Sequence, residues 1–251
     1  MRDLLLPFAV GLAILAGSVF WHPPRSVPRP VPVNYTQAIA GTPLSFELVW
    51  VPGADAWLGK HEVTWAEYEA YYFSKDLEDG TQAIARPSPA YLPHDRGWGT
   101  GRMPAIGISQ HAAMHYCTWL SLKTGVTYHL PTDAQWQAAL GPSVAIDDEA
   151  WHAENSGGRT HPVGEKAANA LGLHDMRGNA WEYCQGTLGD EEPLPLMRGG
   201  CWNSSPADVK GDLRAPCPSE AWNDSDPQRP RGIWWLSTGP FVGFRVARTR
   251  D

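Results

Sequence analysis

Residues 172–184, Gly-Leu-His-Asp-Met-Arg-Gly-Asn-Ala-Trp-Glu-Tyr-Cys, constrain this chain more than any other stretch. General fold requirements do not produce so particular a run. It lies in the part of the chain, from residue 142 onward, where helical periodicity is lost and most of the sequence reads as ordered loop. The composition agrees: 25 Gly and 23 Pro imply many turns and little regular structure. Thirteen Trp supply large rings to wedge between such loops. Packing is the plain reading of these rings, and a sugar-stacking platform is the alternative. The formal charge of -7 gives no reason to expect nucleic acid as a partner.

Upstream, three helix starts are legible. Thr64-Trp-Ala-Glu67 has the form of a capping box and opens a helix through about residue 73. Ser109 caps a second helix over 110–123, stopped by Gly125, with Ala113, Tyr116, Cys117 and Leu120 on its inward face. Thr132-Asp-Ala-Gln135 is another capping box, for a short helix ending at Gly141. Strands are expected at 46–51, broken by Pro52-Gly53, and at 182–184, 196–198 and 244–247. The reading is an α+β domain with few helices and much irregular backbone.

Three further segments flank residues 172–184 in order: His129-Leu-Pro-Thr-Asp-Ala-Gln-Trp136, Met197-Arg-Gly-Gly200 and Gly243-Phe-Arg-Val246. Together they resemble the formylglycine-generating enzyme (sulfatase-modifying factor) family, whose domains read roughly RLPTEAEWE, GLYDMxGNVWEW, RGGSW and GFR. The resemblance covers about residues 43 to 249. It implies a C-type-lectin-like fold with low regular secondary structure, in agreement with the pattern above. Two stretches, Arg86 to Tyr91 and Asp226 to Arg245, look like those of a bacterial branch of the family.

Family enzymes oxidise a client sulfatase cysteine to formylglycine, using oxygen and copper held by two cysteines. Two thiolates suit Cu(I) because both partners are soft. Carried across without gaps, the cysteine positions fall on Ser204 and Val209, and Cys201 stands where the family has Ser. Neither a hydroxyl nor an isopropyl group replaces a thiolate, so the family's copper and its oxidase activity are not expected. The resemblance also implies a structural calcium at Asn179 and Glu182, an oxygen set that suits a hard cation. The other reading of these two is a left-handed turn at Asn179 and a pairing of Glu182 with Arg198 or Arg245. Asn155 matches the first ligand of the family's second calcium site, but its neighbourhood lacks acidic partners apart from Glu165.

Four cysteines are present, in an even number that allows disulfides outside the cytoplasm. Cys201 and Cys217 bracket one loop and are the expected bridge, while Cys117 reads as a small buried residue. A lone reactive Cys201 thiol is the alternative, without a flanking His or Lys to activate it. His111 and His115 stand four apart on the second helix, a spacing that fits one metal but reads first as two partly buried histidines. His161 reads as structural.

Residues 4–21 carry no charge. As a helix of about 27 Å they nearly match a hydrocarbon core of about 30 Å. The apolar members are Leu4, Leu5, Leu6, Phe8, Leu12, Ile14, Leu15, Phe20 and Trp21. An uncleaved anchor is the reading taken, with a cleaved secretory signal as the alternative. Residues 22–42 then form a Pro-rich stalk and 43–251 the domain. Both readings place the domain on the extracytoplasmic (periplasmic) side of the cell envelope. The expected function is a non-catalytic, membrane-tethered binding or assembly subunit whose partners are other envelope or membrane proteins. Arg231, Trp234 and Trp235 are the candidate contacts, the alternative being that these rings close the domain's own core. An oxidase acting through a variant site at Cys201, and a lectin-like sugar or peptide binder, are the alternatives.

Overall fold

The structure is a computed structural model that describes residues 31–74, 87–143, 145–227 and 232–250. The apolar segment 4–21 and Arg231 lie outside these residues. Among the described residues no helix is long and apolar enough to cross a membrane.

Capping decides where the helices begin. Helix α1 (Trp65–Tyr72) starts at Thr64, whose hydroxyl accepts the Glu67 N–H while Glu67 accepts the Thr64 N–H at 2.7 Å. Helix α2 (Gln110–Thr124) is capped by Ser109, which accepts the Ala112 N–H at 3.1 Å, and ends at Gly125 in the left-handed region. Helix α3 (Asp133–Leu140) has the second capping box, with reciprocal bonds of 3.1 and 2.9 Å between Thr132 and Gln135. Each such cap contributes about 1 kcal/mol. Two one-turn helices, α4 (Ile146–Glu149) and α5 (Pro206–Lys210), are too short to show periodicity.

The strands form two four-stranded sheets. The first has the order β1 (Tyr35–Ala38), β2 (Ser45–Val51), β3 (Ala56–Gly59), β8 (Ala247–Thr249), all antiparallel. The second has the order β6 (Arg214–Pro216), β5 (Leu194–Arg198), β4 (Trp181–Leu188), β7 (Val242–Gly243), with only β4 and β7 parallel. The domain starts earlier than the sequence suggested. Its compact unit begins at Pro32, and Tyr35 pairs with Leu48, so residues 35–42 belong to the fold rather than the stalk. The strand expected at 244–247 is divided, because Phe244 and Val246 spend their carbonyls on Val63 and Gly59 (both 2.8 Å).

The sheets and helices close over aromatic side chains. Trp65, Tyr68 and Tyr71 of α1 meet Tyr116 and Trp119 of α2 and Phe244, all essentially inaccessible. A second cluster gathers Val49, Val51, Leu58, Leu173 and Met176 around Trp136. Burying each such side chain stabilises the fold by about 1.5–3 kcal/mol.

Candidate functional site

Strand β5 runs out at Arg198 and the chain turns sharply through Gly199 and Gly200, both at positive φ (90° and 76°). A Cβ at residue 200 would come within 2.7 Å of Val209 Cγ1 and 3.2 Å of Ser204 Oγ. Ser204 and Val209, matched from sequence to the copper cysteines, therefore both pack against Gly200. The Ser204 hydroxyl accepts the Cys201 N–H at 3.0 Å, and its oxygen lies 3.7 Å from Cys201 Sγ. Val209 projects inward from α5, which is capped by Ser205, and is buried. One thiol, a hydroxyl and a hydrocarbon do not fit Cu(I), which needs soft donors. Burial raises the Cys201 thiol above its usual range, so it is a poor thiolate source.

Beside this turn lies a row of half-buried rings. Trp202, the residue after Cys201, packs edge-on to Trp98 (5.5 Å) and stacks on Phe241 (5.5 Å). Phe241 in turn meets Trp222 at 5.3 Å. Trp202 is held by a 3.0 Å bond from its indole N–H to the Pro240 carbonyl.

The turn before β4 sits directly beneath. Asn179 adopts φ 55°, the left-handed turn that was one reading of this residue. Its Oδ1 accepts the His161 N–H (2.9 Å), and its amide donates to Glu62 (3.1 Å) and the His161 carbonyl (3.2 Å). Glu182 lies apart from it in function. Its Oε2 accepts from Trp136 Nε1 (3.0 Å) and Arg245 Nε (2.6 Å), and its Oε1 accepts from Arg245 Nη2. Arg245 donates further to the carbonyls of Gly59 and His174, both at 3.0 Å. The Glu182 carboxylate is bonded to a buried arginine and the Asn179 oxygen accepts a backbone N–H, the arrangement of the second reading of these two residues. Arg198, the other arginine offered by the sequence, goes to Asp133 (3.2 Å) and Asp212 (2.6 Å).

Two acids of this core escaped the sequence reading. Glu62 and Asp175 are both buried, and each keeps one carboxylate oxygen without a hydrogen-bond partner among the described residues. Asp175 Oδ2 accepts the Gly164 N–H at 2.7 Å. Asp175 belongs to the 172–184 motif, and that was the only available signal. Burial, then the Asp175 and Glu182 carboxylates, hold the Glu62 carboxyl well above the usual range. Folding thus takes up a proton there. That stabilisation is complete below about pH 4.5 and is lost as pH rises through the folded-state value. Compared with Glu62→Gln, the natural protein should lose melting temperature on going from pH 5 to pH 9. Identical pH slopes in a thermal scan of the two proteins would exclude a protonated Glu62. His61, lowered to about 3 by burial and by His174, acts in the opposite sense in both proteins and cancels from the comparison.

Other sequence expectations are resolved as follows. The Cys201–Cys217 bridge is not formed, and all four cysteines are free thiols. The register pairs Arg198 with Arg214 and Leu196 with Pro216, so Cys217 follows β6 at the start of β5 while Cys201 lies past its other end. Three residues of strand, about 10 Å, already separate those two ends, more than a disulfide spans. Cys217 instead contacts the Tyr183 hydroxyl at 3.3 Å. Trp234 and Trp235 are not free to anchor a partner. Trp235 packs on Trp65, Tyr68 and Tyr72 and donates to the Ser88 carbonyl at 2.7 Å, closing the domain's own core. His161 is structural, stacked on Trp151 at 3.7 Å. Asn155 bonds the His152 N–H and the Ala150 carbonyl.

This architecture has relatives among known structures. Treponema denticola variable protein 1 superposes with a TM-score of 0.58 at 18% identity, over 88% of this chain and 100% of that one. PvdO from Pseudomonas aeruginosa superposes with a TM-score of 0.52 at 21% identity, over 86% and 91%. Among curated proteins, the chain is similar to serine/threonine-protein kinase pkn1 of Chlamydia caviae, 30% identical over 142 residues. That match takes in 46% of this chain but spans only 21% of the kinase's length. The inactive C-alpha-formylglycine-generating enzyme 2 of Mus musculus is 23% identical over 72% of this chain and 67% of its own. The sulfatase-modifying factor enzyme 1-like domain matches residues 46–250. With the 172–184 turn, the Gly199-Gly200 corner and the Arg245–Glu182 core all inside that match, the chain belongs to the sulfatase-modifying factor family.

Proposed function

We propose that the protein is a non-catalytic member of this family, tethered to the membrane on the extracytoplasmic side and serving as a binding or assembly subunit of an envelope complex. The observation that carries the reading is the filled corner: Ser204 and Val209 pack on Gly200 where enzymes of the family hold a copper thiolate pair. The likeness to proteins named as inactive formylglycine-generating enzymes supports the same view. The uncharged segment 4–21 and the Pro-rich stretch after it support tethering. A tether raises the effective concentration of a docking surface toward a membrane partner. The oxidase alternative is weaker, because its one candidate thiol, Cys201, is buried with a raised pKa. The aromatic row from Trp98 to Trp222 favours a second reading, a module that stacks sugar or peptide on these rings.

One experiment separates these. Full-length protein, solubilised from membranes, is incubated with copper, oxygen and a peptide bearing Cys-x-Pro-x-Arg, and its copurifying proteins are identified. The expected outcome is no aldehyde by mass spectrometry and a stoichiometric envelope partner. An aldehyde product defeats the non-catalytic reading. A free, soluble monomer defeats the tethered one.

A further inference from the structure

Helix α2 carries a donor set that the filled corner does not use. His111, Met114 and His115 stand at i, i+3 and i+4, the spacing that puts three side chains on one helical face. The two imidazoles face each other with centroids 4.4 Å apart. Both are wedged against the buried Trp234 ring, at 4.7 and 5.1 Å, which restricts their rotation. Neither ring forms a hydrogen bond with another described residue. Both remain partly exposed, and Met114 is 48% exposed. His111 and Met114 line a groove of about 540 Å³, with Gln110, Glu220 and Ile233 also on its walls. No cluster of three His, Cys, Asp or Glu side chains suited to a metal exists among the described residues, so the third donor here is the thioether.

We propose that His111, Met114 and His115 form a surface copper site, open to the groove and separate from the corner at Ser204 and Val209. Two imidazoles bind copper in either oxidation state, and a thioether adds selectivity for Cu(I). The rings are pre-positioned by Trp234, so little freedom is lost on binding. The open coordination position toward the groove leaves room for a ligand from a partner or from solvent.

The test uses the full chain in detergent. Cu(I) affinity is measured by competition with a chromogenic chelator, and Cu(II) is examined by electron paramagnetic resonance. One copper per chain is expected, with hyperfine structure from two imidazole nitrogens in the cupric form. His111→Gln/His115→Gln should weaken binding by more than the roughly 10–100-fold that loss of a supporting contact costs. Met114→Leu should weaken Cu(I) while sparing Cu(II). Undiminished affinity in the double histidine variant overturns the site, and an unchanged Cu(I) affinity in Met114→Leu overturns the thioether's role. Should the double variant fail to fold, the spectrum of the natural protein decides: a signal without two imidazole nitrogens overturns the proposal.

Discussion

Glu182→Gln is expected to destabilise the domain by about 3–5 kcal/mol, a large share of the roughly 5–15 kcal/mol that holds a usual domain together. The reason is the arginine left behind. Arg245 is wholly inaccessible, and its charge is neutralised by a carboxylate that bonds it through two oxygens. Glutamine keeps the shape but removes the charge, and an unpaired buried cation is what costs so much. Removing both charges in Glu182→Met/Arg245→Met should recover most of the loss, since a buried ion pair rarely outperforms well-packed hydrocarbon. Urea denaturation of Glu182→Met, Arg245→Met, the double variant and the natural protein gives the coupling. A single-variant loss below 1 kcal/mol would mean that water reaches Arg245 and that the core described above is open.

Gly178→Ala should be comparably damaging for a steric reason. Residue 178 sits at φ 72°, and a Cβ there would lie 2.1 Å from the Trp151 carbonyl oxygen. Nothing flexible stands in the way to yield, because the obstacle is backbone paired with Gly178 itself. Relief requires moving the Trp151 strand or the Asn179 turn, and the Asn179 N–H is bonded to the same Trp151 carbonyl at 2.9 Å. The backbone conformation alone costs on the order of 1–3 kcal/mol for a non-glycine residue, and the collision adds to it. Gly125→Ala, at φ 70° with open space around it, is the control. It should cost only the conformational part. Equal melting temperatures for the two variants would show that the 151–178 contact adjusts freely.

What could be read from the chain beforehand follows from how local each signal is. A cap is written in four residues, and the helices after Thr64, Ser109 and Thr132 begin where their caps say. The left-handed turn at Asn179 and an arginine beside Glu182 were legible as one of two readings of these residues, although only the structure chooses Arg245 over Arg198. Features set by register or by distant packing were not legible. Cys201 and Cys217 look like neighbours along the chain, yet strand pairing sends them to opposite ends of β5. Trp234 and Trp235 read equally as a partner anchor or as core, and packing decides it: α1 absorbs Trp235 and the histidines of α2 cover Trp234. Strand β1 was hidden because four residues at a sheet edge carry no recognisable pattern. Glu62 was hidden because an acid in a short polar run gives no hint that it will be enclosed.

The pairing of β3 with β8 has a consequence for how the protein is made. Ala56 lies opposite Thr249, and Arg245 reaches back to Gly59 and across to His174. The first sheet and the charged core therefore both wait for residues made long after β3. Until those residues are made, β3 lacks its partner on that edge and the Glu182 carboxylate lacks Arg245. Contacts this distant in sequence make assembly slow and late. Phe244 and Val246 also belong to the aromatic core, so that interior closes only when this distant segment docks.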